Sequence, residues 1–264
     1  MRRLFFVPAL FLCLAATEAL ALSGTPYLAP GAFDVVHLLP PPPALNSAAQ
    51  RDDIDAIIAA QKAASPERTK LAEEDAKVDL ARFAFVLAPD FSFGKVPDVT
   101  AFLQKVRRET TGPSNIVKDC WERSRPFVAD NRVHPPGSMQ RDTANRPGAA
   151  VENSAPHDAA SPCLPPEAST PAYTYSYPSG HSTFGAMTAI LLADMVPEKR
   201  AELFQRGWDY GRSRVVGGVH FPSDVEAGRI QATVMTALMM QNPDFKTDFA
   251  AARAELRAAL GLSR

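Results

Sequence analysis

The chain has 264 residues, 28 basic and 29 acidic side chains, a formal net charge of −1, and 46% apolar and 22% charged residues. These values supply enough apolar material for a sizeable core, in one large domain or two small ones, and exclude global disorder. The near-zero charge excludes nucleic acid as the main partner, because phosphate-backbone binding needs a basic surplus; a local basic cluster can still hold one small anion.

The first residues read as an export signal. Arg2 and Arg3 precede the apolar run Leu4 to Ala16, and Ala19-Leu20-Ala21 has the small-x-small pattern of a cleavage site. Cleavage after Ala21 removes residues 1–21 and leaves 22–264, with 26 basic and 28 acidic residues and a net charge of −2. The apolar run is shorter than the ~20 residues that span a bilayer. Leu12 before Cys13 does not suit a lipoprotein signal. The best later candidate for a span, Ile230 to Met240, has only 11 residues. The expectation is a periplasmic or secreted protein, off the membrane after cleavage. Cys120 and Cys163 then remain as a pair in an oxidising compartment, which predicts a Cys120–Cys163 disulfide; the alternative is two buried free thiols.

Residues 22–46 are proline-rich, and Pro40 to Pro43 cannot form a helix interior. From Asn46 the pattern turns helical, with Ile54, Ile57, Ile58 and Gln61 at helical spacing. Residues 66–88 continue in that style between Pro66 and Pro89. Val96 to Thr111 and Ser114 to Arg125 read as two helices, with Pro113 starting the second and Pro126 ending it. Residues 127–177 lack periodicity and read as a long loop, whose end carries Tyr173, Tyr175 and Tyr177. Helical pattern returns over Gly180–Met195, 197–212, 222–240 and 243–260, with prolines near most starts. The expected fold class is all-α: one bundle of about seven to nine helices spanning 22–264, with 127–177 a loop within it. Trp121 and Trp208 are expected core anchors. Asp209 and Tyr210 lie near Arg214 in sequence only. His37, His134 and His157 are expected to be solvated.

Three clusters carry chemistry. Lys118 and Arg125, seven apart, fall on one helical face. Pro178-Ser179-Gly180-His181 opens a helix. Ser179 suits its N-cap, Gly180 permits close backbone approach, and the first-turn amides favour an anion beside His181. Ser213-Arg214 leads through Gly217 and Gly218 to His220-Phe221-Pro222-Ser223-Asp224. There a carboxylate four residues on can hold one imidazole nitrogen and leave the other basic. Taken singly, each cluster has an ordinary structural explanation. Together, three cations, a helix N-terminus, two histidines and an orienting carboxylate make a phosphate site with a nucleophile and an acid. No EF-hand or HExxH pattern is present, so no metal or other cofactor is expected.

In this order, Lys-x6-Arg-Pro, Pro-Ser-Gly-His and Ser-Arg-x5-His-x3-Asp resemble the type 2 phosphatidic acid phosphatase and vanadium haloperoxidase superfamily. Leu38-Leu39-Pro40-Pro41-Pro42-Pro43 and Leu71-Ala72-Glu73-Glu74-Asp75-Ala76 look more specifically like the class A bacterial nonspecific acid phosphatases. The resemblance runs from about residue 38 to the last helix. It departs at the long loop 127–177 and at Phe221-Pro222, where that group would have a Trp/Tyr–Gln pair, and this bears on substrate preference.

The resemblance implies a helical bundle and a set of roles. His220 is the nucleophile that becomes phosphohistidine, Asp224 orients it, and His181 is the general acid. Lys118, Arg125, Arg214, Ser179 and the Gly180 amide bind phosphate oxygens. The expected partners are small phosphomonoesters, with inorganic phosphate or vanadate as site ligands; a homo-oligomer is compatible with the sequence. The expected activity is an acid phosphatase with a bell-shaped pH profile and phosphotransfer as a side activity. The competing readings are a vanadium-dependent haloperoxidase, a lipid phosphatase and a phosphate-binding module without turnover.

Overall fold

The computed structural model describes residues 22–29, 31–32, 34–139 and 175–263. The export signal, Tyr173, His157 and Cys163 lie outside them. Among the described residues every regular element is helical: ten α-helices and two 3-10 turns. They are α1 (Val35–Leu38), α2 (Ala48–Ala63), α3 (Pro66–Glu74), α4 (Ala81–Leu87), α5 (Pro97–Trp121), α6 (Pro126–Ala129), α7 (Gly180–Met195), α8 (Arg200–Val216), α9 (Pro222–Met239) and α10 (Pro243–Ala259).

Most starts are written locally. Ser47, Ser65, Ser179 and Asn242 cap α2, α3, α7 and α10 by accepting amide hydrogen bonds. Prolines open α3, α5, α6, α9 and α10, where the missing N–H costs nothing. α7 is buried along nearly all its length, as expected of a central helix that is apolar all round. α8 and α9 pack against it, and α5 packs on α7 and α10. Close approach is made by glycine. A Cβ on Gly207 of α8 would lie 2.6 Å from Ala189 Cβ, and one on Gly228 of α9 would lie 2.5 Å from the Ser179 carbonyl. The second contact presses α9 onto the first turn of α7. The main core holds Phe83, Phe102, Phe184, Tyr210 and Phe245, with edge-to-face pairs such as Phe184 on Tyr210 at 5.6 Å.

The structure departs from the sequence expectations at several places. Val96 to Arg125 is not two helices but the single α5, with Pro113 inside it. The apolar face runs on through the proline, since Val106, Val117 and Cys120 are all buried. Around it the hydroxyls of Thr110 and Thr111 donate to the Arg107 carbonyl and that of Ser114 to the Thr110 carbonyl. α5 ends at Trp121, where Glu122 takes a left-handed conformation at φ 41°, so Pro126 starts a short helix rather than ending a long one. Residues 66–88 divide into α3 and α4, because the fully buried Asp75 turns inward to a buried pair with Arg206 and a partly exposed one with Arg82. The stretch 197–212 becomes a 3-10 turn followed by α8, which runs on to Val216 and carries Ser213 and Arg214. Trp208 is not a core anchor, being 42% exposed and stacked under Arg229. No helix among the described residues is long and apolar enough to cross a membrane.

Candidate active site

The end of α8, the start of α9, the start of α7 and the turn after α5 converge. After α8 the chain reverses at Gly217 and Gly218, the latter at φ +63°, which favours glycine. The reversal brings the amides of Val219 and His220 back onto the Arg214 carbonyl at 3.1 and 3.3 Å. Gln61 of α2 clamps it, donating to the carbonyls of His134 and Val216.

His220 is 2% exposed, and its Nδ1 lies 3.3 Å from Asp224 Oδ2. Asp224 is fully buried in the first turn of α9. Its Oδ2 also accepts from the Phe221 amide at 2.9 Å and from the Ser176 hydroxyl, and its Oδ1 accepts from Arg123 at 2.6 Å. A carboxylate can only accept, so neutral His220 carries its proton on Nδ1 and keeps a lone pair on Nε2. Burial raises a carboxyl, but here Arg123, His220 and Ser176 outweigh it and hold Asp224 well below the ordinary carboxylate range. For His220, burial and then the adjacent Arg125 push the imidazole well below its usual value, against the pull of Asp224.

Arg125 does not share a helical face with Lys118, because α5 ends between them. The residue before a proline is driven to extended backbone, and Arg125, before Pro126, has φ −69° and ψ 152°. Its Nη1 donates to the Val219 carbonyl at 2.9 Å and lies 2.7 Å from Nε2 and 3.4 Å from Nδ1 of His220. Nearness to both nitrogens puts the guanidinium over the ring face rather than along the in-plane lone pair of Nε2. Lys118 is buried in the last turn of α5 and donates to the carbonyls of Tyr175 at 2.7 Å and Ser176 at 3.4 Å.

Ser179, Gly180 and His181 open α7 as the sequence leads one to expect. Ser179 is fully buried and caps the helix, its hydroxyl accepting from the Ser182 amide at 3.2 Å. The Ser179 amide donates to the Asp224 carbonyl at 3.0 Å, which joins the starts of α7 and α9. A Cβ on Gly180 would meet no described atom within 4 Å. His181 Nε2 lies 2.9 Å from the Ala76 carbonyl, and Tyr210 stacks on the His181 ring with centroids 6.1 Å apart. A carbonyl only accepts, so Nε2 keeps its proton and the nitrogen able to exchange one is Nδ1. The Tyr210 hydroxyl donates to the Lys77 carbonyl at 2.6 Å. The expectation that Tyr210 is near the site in sequence only is therefore corrected.

Sequence reasoning missed a supporting layer. Asp75 takes both Arg206 nitrogens, Arg82 and the Ser213 hydroxyl. It thereby fixes the turn whose Ala76 carbonyl meets His181. Arg123 was passed over between Lys118 and Arg125, although Arg-x-Arg-Pro directly after a helix was a visible signal. Ser176, between Tyr175 and Tyr177, carries no sequence signal of its own. No group of three or more His, Cys, Asp or Glu side chains arranged to hold a metal ion occurs among the described residues. Cys120 is buried on α5.

Comparison with known proteins gives consistent matches. The family model described as the PAP2 superfamily matches residues 109–248, which contain all the residues of the three clusters. A non-specific acid phosphatase of Salmonella typhimurium is 31% identical over 223 residues, 83% of this chain and 78% of that one. An acid phosphatase of Zymomonas mobilis is 29% identical, covering 86% and 76%. A non-specific acid phosphatase of Providencia stuartii is 28% identical, covering 85% and 81%.

Proposed function

The chain belongs to the PAP2 superfamily, and on that premise we propose that it is an exported acid phosphatase that hydrolyses small phosphate monoesters through a phosphohistidine. The observation that carries the reading is the His220–Asp224 pair, with the proton held on Nδ1, Nε2 left nucleophilic and Arg125 against the ring. Nε2 of His220 attacks phosphorus, forming an N–P bond as the ester P–O bond breaks. The departing oxygen takes a proton from Nδ1 of His181. Water then attacks the phosphohistidine, giving a proton back to His181 and releasing inorganic phosphate. Arg125, Lys118, Arg214 and the first-turn amides of α7 hold the phosphate oxygens, where charge builds in the transition state. An alcohol in place of water gives phosphotransfer. The lowered His220 pKa supports attack at acidic pH, since this imidazole stays neutral below the range where a free histidine titrates.

The test is phosphate release in EDTA at pH 5 to 7 by wild type and His181→Ala, on an aryl and an alkyl phosphate. Wild type turns over both. The variant loses about 10²-fold or more on the alkyl ester, and much less on the aryl ester, whose leaving oxygen needs no proton. Equal losses on both would reject His181 as the acid. Activity that EDTA abolishes and a metal restores would reject the metal-free mechanism. Inactivity towards every ester, with halide oxidation in added vanadate and peroxide, would favour the haloperoxidase.

Export and the Cys120–Cys163 bridge belong to the same proposal. The basic, apolar and small-residue pattern over 1–21 supports the first, and two remaining cysteines after cleavage support the second. Intact-mass measurement of the exported protein, with and without reductant, should give residues 22–264 with one bridge. The full-length mass, or two alkylatable thiols before reduction, would reject them.

A further inference from the structure

We infer that Arg123 is a positioning residue, shared between Asp53 and Asp224, that fixes the orientation of Asp224 and through it the nitrogen of His220 that faces the phosphate. The inference rests on the reading of His220 as nucleophile. Arg123 lies in the turn after α5, buried, its Cζ 3.8 Å from the centroid of the Phe221 ring. One nitrogen, Nη1, donates to Asp224 Oδ1 at 2.6 Å and to Ser223 Oγ at 2.7 Å. The other, Nη2, donates to Gln50 Oε1 at 2.5 Å and Asp53 Oδ2 at 2.9 Å, both on α2. The Arg123 carbonyl accepts from the Ser176 amide at 2.8 Å, and the Ser176 hydroxyl donates to Asp224.

The geometry has a consequence for the carboxylate. A lone Asp224 could rotate and offer either oxygen to His220. With Oδ1 engaged by Arg123, and Oδ2 by Phe221 N and Ser176, only Oδ2 is aimed at Nδ1. The planar fork of an arginine can hold two carboxylates at once, which a lysine ammonium on its single point cannot do as well. Asp53 matters because it takes part of the Arg123 charge. It is fixed in turn by the amide and hydroxyl of Ser223. Asp224 therefore keeps negative charge for the imidazolium-like state that His220 enters when it bears phosphate. The other charged or titratable groups acting on the pair are Arg125 of the turn after α5 and Lys118 of α5 on His220, and the Tyr177 phenol of the segment before α7 on Asp224.

The experiment compares wild type, Arg123→Met, Arg123→Lys, Asp53→Asn and His220→Ala on an aryl phosphate across pH 4 to 8, with inorganic phosphate as competitive inhibitor. Both terminal nitrogens of Arg123 are taken by Asp224, Ser223, Gln50 and Asp53 and the residue is outside the proposed phosphate-binding set, so KM and phosphate inhibition should stay within about threefold. In Arg123→Met kcat should fall about 10- to 100-fold, the range seen when an outer partner of a site residue is removed. Losing a positive charge eases protonation of His220, so the acidic limb of kcat/KM should move up in pH. Asp53→Asn removes a negative charge and should move the limb down. Arg123→Lys keeps the charge and should restore the limb with part of kcat.

A merely structural role would lower kcat with the limb unmoved and no rescue by lysine, and that result overturns the inference. A kcat within twofold of wild type in Arg123→Met does the same. Should Arg123→Met fail to fold, Asp53→Asn decides alone, and a wild-type limb there rejects the proposal. An active His220→Ala instead rejects the reading of the nucleophile, a separate outcome.

Discussion

Replacing His220 with alanine is expected to lower kcat by about 10⁴-fold or more while leaving the protein folded, because in the proposed mechanism it removes the atom that accepts the phosphoryl group. The proposed phosphate-binding groups, Lys118, Arg125, Arg214 and the start of α7, remain, so inorganic phosphate should continue to bind the variant. Steady-state phosphate release, with alkaline-quench trapping of the phosphoenzyme, reads the chemistry. Residual kcat within tenfold of wild type would mean that the nucleophile lies elsewhere. Stability supplies an internal control. The His220 pKa is depressed in the folded chain, so its contribution to stability is fully present above the unfolded value near ~6.5. That contribution is lost as pH falls through the folded value. Acidification below pH 6 should therefore destabilise wild type more steeply than His220→Ala.

The largest loss of stability is expected from Asp224→Ala, about 3–5 kcal/mol, with activity lost as well. The side chain is fully buried and accepts from Arg123, Ser176, the Phe221 amide and His220. Its removal leaves a buried guanidinium with one carboxylate in place of two, and strips the capping acceptor from the start of α9. Urea unfolding at pH 7 measures the effect. Because the Asp224 pKa is depressed, its contribution is present above the unfolded carboxyl value near ~3.9. It disappears as pH falls further, so the gap between wild type and variant should persist from pH 5 to 8 and close only in strong acid. A loss below about 1 kcal/mol would show that Arg123 and the α9 start are held by other contacts.

Much of the fold was legible because its signals are local. Ser-capped and proline-opened helix starts depend on neighbours in the chain, and α7 was expected over the range it occupies. The same locality explains the failures. Pro113 is a breaker in isolation, yet the apolar face of α5 continues through it, because burial against the rest of the molecule outweighs one lost hydrogen bond. The helical periodicity between Lys118 and Arg125 is present in the sequence, yet Glu122 ends α5 and sends Arg125 over the His220 ring. The pairing of His220 with Asp224 was readable because four residues across a helix start fix it.

The order of the three clusters, the all-helical class, the capped start of α7 beside Ser179 and Gly180, and the carboxylate four residues after His220 follow from the order of amino acids alone. Each is a relation within a few residues, where backbone geometry leaves few alternatives. What holds those groups in place depends on contacts between distant segments. Arg123 meets Asp53 and Asp224 from 70 and 101 residues away. Asp75 meets Arg206 from 131 residues away. Tyr210 reaches His181 because α7 and α8 cross closely at Gly185 and Gly207. No spacing rule connects such residues. A buried charge must find its counter-charge wherever packing brings one, and which pair meets is fixed by how the helices dock.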